Sequence, residues 1–101
     1  MDIKLEGRQV EIGDELKERI ESKLENLSKR FGPITHARVS IEKKSHNNEQ
    51  RAEVVAVVNI SGTTITVNRE SATVVVAVNE MLETLSLELQ TYVEKKRKDH
   101  R

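Results

Sequence analysis

The chain has 101 residues, its 17 Lys and Arg residues balance 17 Asp and Glu residues, and it contains no cysteine. This length supports one domain with a single modest core. The lack of cysteine excludes a disulfide scaffold, a thiol nucleophile and most structural zinc sites. The longest apolar runs are far too short to cross a membrane, and the charged N-terminus is unlike a secretory signal. We therefore expect one cytoplasmic domain over residues 1–101, with no membrane partner.

The first third of the chain predicts a strand and then a helix. Residues 2–6 alternate between apolar and charged types, which is typical of a half-buried strand. From Asp14, apolar residues recur every three or four positions, which predicts an amphipathic helix. Gly32 and Pro33 end this helix, because glycine permits an unusual backbone and proline cannot continue the hydrogen bonding.

The middle of the chain returns to alternation. Residues 35–44 and Ala52–Ile60 are predicted strands on either side of a polar loop, Ser45–Gln50. Ser61 and Gly62 form a tight turn into a fourth strand, Thr63–Arg69. The last two strands are therefore expected to pair as an antiparallel hairpin.

The last part of the chain, about residues 71–97, has helical spacing and ends in a basic tail that begins at about Lys95. The order β-α-β-β-β-α predicts an α+β fold. In this two-layer sandwich, two helices cover one face of a four-stranded, mainly antiparallel sheet. The opposite face of the sheet is left to solvent or to a partner.

Patterns typical of catalysis or metal binding are missing from the sequence. His36, His46 and His100 are scattered, without a carboxylate at metal-ligand spacing. The four glycines are isolated, so they form no phosphate-binding loop. We therefore expect a binding protein that is not an enzyme and needs neither a metal nor another cofactor.

Basic residues offer a possible phosphate-binding surface, since Lys and Arg contact nucleic-acid phosphates without reading sequence. On the first helix, Glu18, Glu21 and Glu25 alternate with the cations, so ordinary surface ion pairs are the simpler explanation for the helix alone. Phe31 and Tyr92 both lie on apolar stripes, which argues against base stacking and leaves shape and phosphate contact. The candidate RNA-binding residues are Lys23, Lys29, Arg30, Lys43, Lys44, Lys95, Lys96, Arg97 and Lys98.

Several segments of the chain resemble the ribosome hibernation promoting factor family, which includes the ribosome-associated inhibitor and is also known as the sigma-factor modulation protein family. The resemblance rests on the opening segment Ile3–Ile12, the turn Asn59–Thr63 and the helical segment Ala77–Leu85, and it extends over about residues 1–98. It implies a double-stranded-RNA-binding-like fold and a short form of the family. It also implies a stress-phase factor that contacts rRNA of the small ribosomal subunit in the mRNA and tRNA channel and thereby silences translation.

The chain departs from the family pattern on the second helix. The family's Asp-Met-Tyr at the start of that helix is Thr73–Val75 here. Three positions that are basic in the family are Thr84, Leu87 and Thr91 here. These positions belong to the rRNA-facing surface that the resemblance implies, so their change bears directly on rRNA binding.

The alternative is a protein–protein interaction module, such as a homodimer, that keeps the fold without binding rRNA. Its motivation is Leu87 on the second helix, together with Val55 and Val57 on the sheet face away from the helices. Exposed apolar residues in a patch favour a protein partner. The sequence leaves both functions open.

Overall fold

The computed structural model describes residues 1–98, apart from the side chains of His46, Arg97 and Lys98. Its elements follow the predicted order, and the α+β fold is confirmed. The elements are β1 (Asp2–Arg8), α1 (Asp14–Phe31), β2 (Ile34–His46), β3 (Glu49–Ile60), β4 (Thr63–Ser71) and α2 (Val74–Lys98).

The four strands form one mixed sheet in the order β1-β2-β3-β4. β1 is parallel to β2, because α1 carries the chain back to the end where β1 starts. The other two pairs are antiparallel, as expected for hairpins. The sheet is therefore mainly antiparallel, as predicted, and only its first pair is parallel.

The hairpin between β2 and β3 is tighter than the predicted loop Ser45–Gln50. Ser45 pairs with Gln50 and His46 with Glu49, so the turn contains only Asn47 and Asn48. Both asparagines have positive φ, 50° and 63°, which is the backbone of a two-residue type I′ turn. The predicted loop boundaries are wrong because these strand ends extend past the core and carry polar residues on both faces.

The end of α1 is fixed by its backbone and by one side chain. Gly32 takes a φ of 127°, which side-chain-bearing residues rarely adopt, and its N–H donates to the Ser28 carbonyl at 3.2 Å. The Ser28 hydroxyl then accepts the N–H of Ile34 at 3.0 Å. These contacts lead the chain directly from the helix into β2.

α2 begins at Val74, three residues later than the predicted start at about Ser71. Thr73 is the N-cap: its hydroxyl accepts the N–H of Val76 at 3.3 Å, and its carbonyl accepts the N–H of Ala77 at 3.0 Å. This cap offsets the poor helix propensity of the β-branched residues that follow. Thr73 thus caps α2 at the position where the family pattern has aspartate.

The core lies between the helix layer and one face of the sheet. Apolar residues of both helices and of every strand pack into one cluster, with Leu24, Val39 and Leu85 fully buried. Alternate residues of the strands point the other way and form what we term the outer face, which neither helix covers. Val57 lies on this face and is 36% exposed, whereas Val55 is half-buried there. No helix among residues 1–98 is long and apolar enough to span a membrane.

Candidate functional site

The topology brings the C-terminal ends of both helices to one end of the sheet. β1 and β4 both run toward the opposite end of the sheet, and the helix that follows each of them returns alongside the sheet. α1 and α2 are therefore parallel. α2 is the longer, at about 37 Å for 25 residues. The last turns of the helices carry the exposed residues Lys29, Arg30, Lys95 and Lys96, which we term the cationic end.

Two cations of the cationic end lie over aromatic rings. The Arg30 guanidinium is 5.1 Å from the centroid of the Phe31 ring, and the Lys96 ammonium is 5.4 Å from that of Tyr92. Such contacts limit the motion of long cationic side chains while leaving their charge accessible. Phe31 and Tyr92 pack against the core, as their positions on the apolar stripes predicted. Each ring also supports a cation, which the sequence did not predict.

Tyr92 also joins α2 to the turn between β3 and β4. Its hydroxyl oxygen is buried and forms no hydrogen bond of normal geometry with another described residue. The nearby Thr63 hydroxyl and the Lys96 ammonium nevertheless lower the pKa of the Tyr92 phenol from its usual 10.0. The Tyr92 ring that supports Lys96 therefore lies beside the first residue of β4.

Acidic residues accompany the cations of the helix layer. Lys29 lines a shallow groove together with Asp2, Glu21 and Glu25. Lys23 lines a second groove, between α1 and α2, where Glu83 is also exposed. These carboxylates line the same grooves as the lysines, but no ion pair among the described side chains involves Lys23 or Lys29.

Lys43 and Lys44 lie at the other end of the molecule. Lys44 lies ten positions after Ile34 on β2, which is about 33 Å along an extended strand. The Lys44 ammonium is 3.0 Å from the Glu53 carboxylate, whose hydrogen bond and negative charge raise the pKa of Lys44 above 10.5. The structure therefore does not bring Lys43 and Lys44 together with the cationic end.

Two predicted site residues are described only by their backbone. Arg97 and Lys98 lie in the last turn of α2, directly after Lys96, while their side chains lie outside the described residues. The remaining tail, 99–101, lies outside them as well. The α2 helix thus continues through the basic tail from Lys95 to Lys98.

The surface of α2 before the basic tail is acidic and partly apolar. Between Val74 and Glu94, this helix has no basic residue and four glutamates: Glu80, Glu83, Glu88 and Glu94. Leu87 is 64% exposed and Thr91 is exposed, whereas Thr84 is half-buried. Two of the three positions that are basic in the family pattern therefore lie at the surface and could hold a longer cationic side chain.

Two cations on the outer face of the sheet were not among the residues predicted from the sequence. Lys4 and Arg38 are register partners on β1 and β2, and both line a groove that includes Val57. Strand alternation alone places each of them on the polar face. Their adjacency depends on the parallel pairing of β1 with β2, which the sequence did not reveal.

The described residues hold no group of three or more His, Cys, Asp or Glu side chains that could bind a metal ion. Among the described side chains, one His–carboxylate contact lies on the surface, where His36 Nδ1 is 3.7 Å from Asp2 Oδ2. A single exposed pair of this kind lacks the further ligands that a protein metal site needs.

Comparison with known proteins agrees with the resemblance in the sequence. Residues 3–97 match the family model described as Sigma 54 modulation protein / S30EA ribosomal protein. A ribosome hibernation promotion factor from Deinococcus radiodurans is 30% identical over 89 residues; the match covers 87% of this chain and 47% of that protein. The chain thus spans about half the length of this curated relative.

Solved structures share the fold. A ribosomal subunit interface protein from Coxiella burnetii superposes with a TM-score of 0.72 at 27% identity, over 91% of this chain and 97% of that one. The N-terminal domain of Protein Y from Thermus thermophilus gives a TM-score of 0.71 over 91% and 99% of the two chains; at 24% identity it supports the fold alone. On the family match, the chain belongs to the Sigma 54 modulation protein / S30EA ribosomal protein family.

Proposed function

We propose that this protein is a ribosome hibernation factor that binds rRNA phosphates of the small subunit and blocks the channel for mRNA and tRNA. The observation that carries the proposal is the family match over residues 3–97, joined by the 30% identity to a ribosome hibernation promotion factor. A protein that works on ribosomes in this way acts in the cytoplasm. It needs no catalytic group, since occupying the channel is sufficient.

The cationic end is the main candidate for the rRNA contact. Lys29, Arg30, Lys95 and Lys96 are exposed at the ends of two parallel helices, and the α2 backbone continues through Arg97 and Lys98. Phosphate contacts of this kind fix position without reading sequence, and double-stranded RNA is recognised largely through shape and phosphates. Lys23 extends this surface along the groove between the helices.

Lys43 and Lys44 form a second, weaker candidate contact. Lys44 already has the Glu53 carboxylate at 3.0 Å, and the neighbouring Arg51 lies 3.4 Å from Glu70. Binding a phosphate there would exchange one anionic partner for another, so the net gain is smaller than at an unpaired cation. We expect this pair to contribute less than the cationic end.

A competition experiment tests both the location and the mechanism. Purified protein, small subunits, a short mRNA and initiator tRNA are mixed, and the bound fraction of each is measured. Displacement of mRNA and tRNA as the protein binds supports occlusion of the channel. Simultaneous binding of all three at saturation would contradict it.

Variants then identify the docking surface. Lys29→Ala, Lys95→Ala and Lys96→Ala together should weaken binding and flatten its salt dependence, because fewer counterions are released from rRNA. Lys4→Ala, Arg8→Ala and Arg38→Ala together are a matched control, because these three cations lie on the outer face, across the sheet from the helices. Equal losses in the two variants would mean that the cationic end is not the docking surface.

A further inference from the structure

The outer face of the sheet carries a specific arrangement of charge around two valines. The strand register sets its residues in rows that cross all four strands. The two central rows are Lys4, Arg38, Val57 and Thr66, followed by Glu6, Ser40, Val55 and Asn68. The two flanking rows are Asp2, His36, Asn59 and Thr64 on one side, and Arg8, Glu42, Glu53 and Glu70 on the other.

These rows are complementary to themselves under a two-fold rotation. Consider an axis that runs above the outer face, parallel to the plane of the sheet and perpendicular to the strands, midway between the two central rows. It places Val57 against Val55 of a second copy and Lys4 against Glu6 of the second copy. Asp2 then faces Arg8 of the second copy. No row position meets a residue of like charge.

A different two-fold axis gives a much poorer match. With the axis parallel to the strands and between β2 and β3, each row meets itself in reverse. Arg8 then faces Glu70 of the second copy, which is favourable, but Glu42 faces Glu53 of the second copy and Arg38 faces Val57 of the second copy. Like charges opposite each other and a cation on an apolar residue are both unfavourable. The charge pattern therefore selects one of the two arrangements.

We propose that the outer face is a self-association surface, through which two copies of this chain pack sheet against sheet about the axis perpendicular to the strands. Both copies use the same residues around the axis, and a closed two-fold interface requires such a self-complementary surface. When two aligned sheets pack face to face, their strand directions differ by about 30°. The long Lys, Arg and Glu side chains of β1 can span the offset that this angle creates between the two copies. The helix layers then lie on the outside of the dimer.

The size of the face indicates a weak dimer. Four strands with about seven residues each cover roughly 450 Å² in flat projection. This is at the low end for specific interfaces, and only the two valines supply an apolar centre. We therefore expect dimers at high micromolar to millimolar concentration, with the cationic end still exposed. The proposal stands apart from ribosome binding and is tested without ribosomes.

Analytical ultracentrifugation over micromolar to millimolar concentrations tests the proposal. The wild type should shift from monomer to dimer. Lys4→Glu alone and Glu6→Lys alone should each weaken the dimer by about tenfold, because the axis repeats every change and sets like charges opposite each other. The double exchange, Lys4→Glu with Glu6→Lys, should restore dimer formation, since it reverses both members of each pair.

Two further variants test the apolar centre. Val57→Glu should abolish dimers, whereas Leu87→Glu adds the same charge on α2 and should leave them unchanged. Circular dichroism checks that each variant keeps the wild-type fold. A wild type that stays monomeric at every concentration overturns the proposal. So does a dimer that Lys4→Glu leaves intact, or one that the double exchange fails to restore.

Discussion

Restoring cations on α2 gives a quantitative test of how the protein meets rRNA. Leu87 is 64% exposed and Thr91 is exposed one turn later, so Leu87→Lys and Thr91→Lys can be made together without disturbing the core. The substitution at Thr91 removes a surface hydrogen bond, which its hydroxyl donates to the Leu87 carbonyl. Lysine is also a good helix former. The double variant should therefore fold like the wild type.

The expected effect follows from counterion release. Each new phosphate contact steepens the dependence of log K on log salt by about 0.7 to 0.9. Two contacts would add about 1.6, so raising the salt from about 50 to about 200 mM would cost the variant about tenfold more affinity than the wild type. At low salt, the variant should bind small subunits more tightly. Fluorescence anisotropy of labelled protein with small subunits, across a salt series, measures both quantities.

A matched control separates location from charge. Val75→Lys with Val76→Lys adds the same charge at the other end of α2, where these side chains are 52% and 44% exposed. We expect a smaller change in salt slope there. If Leu87→Lys with Thr91→Lys leaves the slope and the affinity at their wild-type values, α2 does not face rRNA in this protein, and the reasoning is refuted.

Three other predictions concern the elements that hold the surface in place. Thr73→Ala removes the N-cap of α2 and should lower the free energy of unfolding by about 1 kcal/mol. Thermal denaturation should then show a Tm about 4–8 °C below that of the wild type. Thr73→Asp keeps a capping oxygen, so its Tm should stay near the wild-type value. Leu85→Ala empties a fully buried position and should cost about 2–5 kcal/mol in urea denaturation; a loss below about 0.5 kcal/mol, typical of surface sites, would show that the core is misassigned. Glu53 raises the pKa of Lys44, so the protonated lysine contributes its full stabilisation below pH 10.5 and loses it as pH rises through the raised value. Glu53→Gln should therefore lower the Lys44 pKa in an NMR titration. An unchanged pKa would mean that the pair does not form in solution.

The fold was predictable because apolar residues recur with a clear helical or strand periodicity in most elements. The α1 stripe and the alternation in β3 reflect burial on one face, and burial is what periodicity reports. The signal fails where a strand leaves the core. Ser45 pairs with Gln50 and His46 with Glu49, and none of these four residue types is apolar, so hydrophobic periodicity gives no signal there. The turn at Asn47 and Asn48, with its positive φ angles, marks the hairpin instead.

The candidate site was predictable residue by residue but not as a surface. Basic residue types identified Lys29 and Lys95, yet only the parallel course of the helices places them at one end of the molecule. Likewise, Lys44 is a candidate by residue type, while its 3.0 Å contact with Glu53 depends on the register of β2 with β3. Register and helix direction are long-range properties that local patterns do not contain.

Co-sedimentation of the purified protein with ribosomes and with separated small subunits, at low and at high salt, tests the central claim most directly. We predict that the protein pellets with ribosomes and with small subunits at low salt and is released as salt rises, because phosphate contacts hold it. Failure to pellet at any salt, or binding that salt does not weaken, would contradict docking through rRNA phosphates.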